Sequence, residues 1–201
     1  MNRPSQRLFL PGASGSLAFW EPLAGLITGD ATKSVVGYPG FGNVPPSFDL
    51  PDFEALVQHV VNRIDQPTEI LAQSMGGIIA IRAALAKPDL VTHLVLSVTS
   101  GGLDMVSLGA AEWRDDFLKA YPNVPDWFAS HHSNLEAEIS KVTQPTLPLW
   151  GDADPYSPVA VGAKLLAALP NATLHVVADG HHDLAFAHAA ALAPLVNAHL
   201  S

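Results

Sequence analysis

Six short runs of apolar and β-branched residues, at 7–10, 34–37, 69–72, 93–98, 146–150 and 173–178, constrain the fold of this chain more than any other feature. Several are apolar almost throughout rather than alternating. That is the pattern of strands buried on both faces, as in parallel sheets. The intervals carry helical spacing. Phe53, Leu56, Val57, Val60, Val61 and Ile64 recur at three and four, Val159, Leu165, Leu166 and Leu169 share a second segment, and 184–200 reads as an alanine-rich last helix. Strands alternating with helices imply right-handed βαβ units. The expected fold is α/β, a mainly parallel six-stranded sheet with helices on both faces. The 201 residues suffice for one such domain, 1–201, and not for two.

One interval departs from the pattern. Residues 99–144 separate two strands and hold Trp113, Phe117, Tyr121, Trp127 and Phe128. A plain loop is rarely so long. The segment 101–144 is predicted to be a short helical lid inserted in the domain. The alternative is a crossover whose aromatics only fill core.

Charge and composition exclude several classes of function. Ten Lys and Arg stand against 19 Asp and Glu, for a net charge of −9, and the basic residues, Arg3 and Arg7 among them, are scattered. A nucleic-acid partner needs a concentrated basic face, so none is expected. There is no cysteine, hence no disulfide framework. The apolar run Leu8-Phe9-Leu10 is cut short by Pro11-Gly12, too soon for a signal peptide. No run approaches the roughly 18 apolar residues of a membrane span. A cytoplasmic protein without a membrane partner is expected.

Three strand ends carry chemistry. In Thr68-Glu69-Ile70-Leu71-Ala72-Gln73-Ser74-Met75-Gly76-Gly77-Ile78, an apolar strand enters a tight turn and a helix leaves it, with Ser74 at the apex. That geometry exposes a serine hydroxyl above the sheet edge. Serine alone is a poor nucleophile and needs a base held by an acid. Leu149-Trp150-Gly151-Asp152-Ala153-Asp154 ends another strand, and Ala178-Asp179-Gly180-His181-His182-Asp183 a third. Either Asp152 or Asp154, and either His181 or His182, could serve. Taken singly these are turn residues. Together, Ser, Asp and His follow three predicted parallel strands in one order. An oxyanion site needs backbone N–H groups. The amide of Met75, after the serine, and that of Ala13, in the turn Leu10-Pro11-Gly12-Ala13-Ser14-Gly15-Ser16, are the natural donors. A phosphate loop is the rival for that turn, but GxxxxGK[ST] is absent. No metal site is expected, since His131-His132 and His181-His182-Asp183 lack an HExxH or Cys/His ligand set.

On these motifs the chain resembles the serine α/β-hydrolases, and within them the branch that includes pimeloyl-ACP methyl ester esterase. Pro11-Gly12-Ala13 stands at the oxyanion turn, Gly37-Tyr38-Pro39-Gly40-Phe41-Gly42 is similar to a Pro-Gly-x-Gly loop, and Gln73-Ser74-Met75-Gly76-Gly77 to the elbow. Gly151-Asp152-Ala153-Asp154 with Pro158 is similar to the acid loop, and His182 stands at the base position. Ala72 replaces the first elbow glycine, and Pro11 the usual oxyanion-turn histidine. The resemblance implies an α/β-hydrolase fold without its usual first two strands. It also implies a triad of Ser74, Asp154 and His182, no cofactor, and a small-molecule ester or acyl substrate. The short lid predicts a shallow pocket that favours acetyl to butyryl groups. Ester hydrolysis through an acyl-enzyme leads. A lyase or carbon–carbon hydrolase with the same triad, or a non-catalytic ligand-binding relative, stands as the alternative.

Overall fold

A computed structural model describes residues 4–125 and 127–201; Arg3 lies outside them. The chain runs β1 (Gln6–Leu10), α1 (Glu21–Leu26), β2 (Thr32–Val35), α2 (Phe53–Val61), β3 (Thr68–Gln73), α3 (Met75–Ala86) and β4 (Val91–Ser97). After α4 (Arg114–Ala120) and α5 (Trp127–Ser130) come β5 (Thr146–Gly151), α6 (Val159–Ala168), β6 (His175–Val177), α7 (Leu184–Ala187) and α8 (Ala189–His199). The six strands form one sheet, ordered β2-β1-β3-β4-β5-β6, and every pairing is parallel.

Side chains alternate between two cores because successive residues of a strand point to opposite faces. Leu8, Leu10, Ile70, Ala72, Leu94 and Leu96 pack under α2, α3 and α6. Phe9, Leu71, Val95, Leu147 and Leu149 pack under α1, α7 and α8. Both faces being covered explains why the central runs are apolar at every position. The edge strands behave otherwise. β2 begins at Thr32, two residues before its predicted run, with Thr32, Lys33 and Ser34 exposed. An edge strand is only half covered, so polar residues pair there without cost. β6, the other edge, spans three residues, fewer than the run over 173–178 predicts. α1 escaped the sequence reading because it is short and holds Pro22 and Gly25, although Leu23 is fully buried. The predicted helix over 184–200 breaks at His188, whose backbone leaves the helical region, and Pro194 lies inside the second piece.

Opposite the strands' C-terminal ends, a polar row crosses the sheet. Arg7 and Glu69 are in register on β1 and β3, both nearly inaccessible, and Arg7 Nε donates to Glu69 Oε2 at 2.6 Å. Arg7 Nη1 donates to the Thr28 carbonyl just past α1. A bulge beside Thr68 brings His93 of β4 opposite Glu69. His93 in turn meets His199 of α8 edge to face at 5.4 Å.

Burial holds four imidazoles, His59, His93, His131 and His199, below the usual histidine value. They are neutral in the fold at a pH where the unfolded chain, titrating near about 6.5, already takes up protons. Their stabilisation is complete above that value and is lost as pH falls below it. Tm is expected to stay level from pH 8 to 7 and to decline between about pH 6.5 and 5.5, ahead of carboxylate titration. Calorimetry across that window checks it, and a flat Tm would exclude the effect.

Candidate active site

The elbow follows from local sterics. Ser74 has φ 52°, outside the regions L-residues favour, and is held there from both sides. Its N–H donates to the Ser97 carbonyl of β4 at 3.0 Å, and its carbonyl accepts from Thr99 Oγ1 at 2.6 Å. The turn also needs α3 to start against β1. A Cβ on Gly76 would lie 2.6 Å from the Leu10 carbonyl oxygen and 2.7 Å from that of Pro11, which only glycine avoids. Ala72, in place of the first elbow glycine, is fully buried in β3, and the turn forms all the same.

Ser74, His182 and Asp154 come from the ends of β3, β6 and β5 and meet in one hydrogen-bond chain. His182 Nε2 is 3.0 Å from Ser74 Oγ, and His182 Nδ1 is 2.8 Å from Asp154 Oδ2. Asp154 is only 4% exposed, and its Oδ1 accepts the Tyr156 N–H at 2.9 Å, so its carboxylate is fixed at both oxygens. The rivals take other places. Asp152 Oδ1 accepts the Asp179 N–H at 2.7 Å, tying the β5 loop to the β6 loop, and His181 Nδ1 faces the Ala153 carbonyl at 3.0 Å. His131 and His132, the other adjacent pair, lie in the segment before β5. Ala13 and Met75 line the same cavity as Ser74, and neither backbone N–H has a hydrogen-bond partner among the described residues.

The cavity above Ser74 holds about 880 Å³, near the upper end of the roughly 300–1,000 Å³ usual for small-molecule sites. It is not the shallow pocket that the short 101–144 segment predicted. Within the segment, α5 packs onto core aromatics: Trp127 and Phe128 meet Phe41 at 5.6 and 5.9 Å. Trp113, Phe117 and Phe128 form a wall of mutual ring contacts at 5.3–5.8 Å instead of filling the space. Ala111 N–H donates to the Pro155 carbonyl, joining this segment to the acid loop.

Gln73 stands in the elbow motif, but the sequence assigns its side chain no role. Only 6% exposed, it donates from Nε2 to the His182 carbonyl at 3.2 Å, and a Cβ on Gly12 would collide with its Oε1. It thus touches the serine, histidine and oxyanion-turn segments together. Its position before Ser74 was the only available signal, and nothing in the residue type marked it. Gln73→Leu keeps bulk and removes the donor. It is expected to cut kcat by about tenfold with little change in KM or Tm, the scale of one hydrogen bond. Steady-state kinetics with a melting curve decide; a rise in KM alone would assign Gln73 to substrate contact instead.

Comparisons with known proteins bear on the family. Residues 8–141 match the model of the alpha/beta hydrolase family. The poly(3-hydroxyalkanoate) depolymerase of Ectopseudomonas oleovorans is 46% identical, aligned over 94% of this chain and 82% of its own. A pimeloyl-[acyl-carrier protein] methyl ester esterase of Neisseria meningitidis is 26% identical over 81% of this chain and 80% of its own. A 2-hydroxy-6-oxononadienedioate/2-hydroxy-6-oxononatrienedioate hydrolase of Cupriavidus pinatubonensis is 24% identical, over 92% and 82%. Among solved structures, the serine hydrolase CarC of carbazole degradation superposes with a TM-score of 0.75 at 19% identity, covering 98% of this chain and 91% of its own, which bears on the fold alone. With an all-parallel sheet and these relatives, the chain is a hydrolase of the alpha/beta hydrolase family.

Proposed function

We propose that this protein hydrolyses carboxylic esters through an acyl-enzyme on Ser74. The observation that carries the reading is the unbroken chain Asp154–His182–Ser74, at 2.8 and 3.0 Å, opening on a roomy cavity. Ser74 Oγ attacks the ester carbonyl while its proton passes to His182 Nε2. Asp154 holds the ring through Nδ1–H and stabilises the imidazolium. The carbonyl oxygen, now negative, is held by the Ala13 and Met75 amides, whose lack of partners among the described residues leaves them free to donate. The C–O bond breaks, and the leaving alcohol takes the proton from His182. A water then gives a proton to His182 and its oxygen to the acyl carbon, which releases the acid and restores Ser74. In this reading the 101–144 segment is the cover of the site, and no cofactor takes part.

The C. pinatubonensis relative supports a second reading, carbon–carbon bond hydrolysis with the same groups. The cavity favours the ester. Arg114 is the only Lys or Arg lining it among the described residues, and Glu112 lies 3.3 Å from the Arg114 guanidinium. Asp104 and Asp116 line it too, so a dicarboxylate meets no unengaged cation. A fluorophosphonate adduct on Ser74, mapped by mass spectrometry, together with turnover of p-nitrophenyl esters, is the expected result. An adduct without ester turnover, and with cleavage of a vinylogous 1,5-diketone, would move the assignment to the second reading. Labelling of another serine would end both.

A further inference from the structure

The cavity wall holds a second polar pair that the triad does not use. His131 Nε2 lies 2.8 Å from Ser133 Oγ, and both residues line the cavity that contains Ser74. The His131 ring is stacked on Phe53, centroids 4.1 Å apart and planes 25° from parallel, so its orientation is fixed by an apolar platform. Around the pair the wall is built from Phe53, Trp113, Phe117 and Phe128. In an apolar pocket, a few placed polar groups are what orient a ligand.

Proton counting shows what this pair can offer. Burial keeps His131 below the usual imidazole value, so near neutral pH the pair carries two labile protons, one on the ring and one on the hydroxyl. If Ser133 donates to Nε2, the ring N–H sits at Nδ1 and has no partner among the described residues. If Nε2–H donates to Ser133, the hydroxyl proton is left over. Either tautomer leaves one donor without a partner among the described residues, on a residue that lines the cavity.

We infer that His131 and Ser133 form a subsite that donates a hydrogen bond to a second carbonyl oxygen of the substrate, one remote from the scissile ester. The substrate class is therefore an oxoacyl ester or a compound with more than one ester group, not a plain fatty ester. The inference rests on the ester-hydrolase reading for its place in turnover, but not for the binding it describes.

The test uses p-nitrophenyl octanoate beside its 5-oxo and 7-oxo counterparts, and the corresponding methyl esters as uncleaved ligands of Ser74→Ala. One oxo ester is expected to exceed the plain ester about tenfold in kcat/KM and in affinity, the worth of one neutral hydrogen bond. The double variant Ser133→Ala/His131→Phe, which removes both labile protons and keeps a ring on Phe53, should bring that ratio to near one, and each single variant, which keeps one donor, should lower it. Equal values for oxo and plain esters in the unsubstituted site, or a preference that survives both substitutions, would overturn the subsite. Loss of turnover on every ester, with the binding preference intact in Ser74→Ala, would instead overturn the ester-hydrolase reading and leave the subsite standing.

Discussion

Replacing Ser74 by alanine is expected to lower kcat on p-nitrophenyl butyrate by a factor on the order of 10⁵ to 10⁶. Ser74 Oγ is the hydroxyl held against His182 Nε2, and among the described residues no second hydroxyl is hydrogen-bonded to that nitrogen to be activated in its place. What remains should be the contribution of binding and the oxyanion donors, roughly 10³ to 10⁴ over water in a comparable triad. The fold should be untouched, because Ser74 is held by its backbone, through Ser97 and Thr99, and not by its hydroxyl. Kinetics, circular dichroism and fluorophosphonate labelling on one preparation check all three points. Residual turnover within a hundredfold of the unsubstituted enzyme would mean that the chemistry does not run through Ser74.

The second large effect separates adjacent histidines. His182→Ala is expected to cost about as much as Ser74→Ala, because removing either member of a triad disables the whole. His181→Ala removes only the contact of Nδ1 with the Ala153 carbonyl. One hydrogen bond is worth about 1 kcal/mol, so a loss of tenfold or less is expected, through slackening of the acid loop. Both variants measured on one ester decide the matter. The reverse ranking would make His181 the base and would require that loop to rotate.

Particular residues show where a sequence can be read and where it cannot. The central strands β1, β3, β4 and β5 were readable because burial on both faces writes itself into composition, as in Ile70-Leu71-Ala72 and Leu94-Val95-Leu96. Thr32 and Lys33 gave no such sign, since the outer face of an edge strand need not be apolar. Ser74, Asp154 and His182 could be singled out because each follows a strand in a fixed order. Gln73 and the His131–Ser133 pair could not, since their meaning lies in contacts over 109 and 2 residues with atoms no motif encodes. The cavity's size was misjudged for a similar reason. Counting aromatics in 101–144 does not say whether they fill the space or wall it, and Phe41 and Phe53, from outside the segment, decide that.

The Arg7–Glu69 pair, far from the site, bears on how the chain finds its fold. Were β3 to slip by one residue against β1, Arg7 would face Thr68 or Ile70, and Glu69 would turn to the opposite face, where Leu8, Leu10, Ile70 and Leu94 pack. Each stranded charge would cost several kcal/mol, comparable with the entire stability of a domain this size. Apolar strands such as these tolerate many offsets, because one branched side chain replaces another with little loss. The buried ion pair therefore works as a lock that admits one alignment. In setting β3 against β1 it also sets the height at which Ser74 emerges beside Gly12 and Ala13 at the far end of the same two strands.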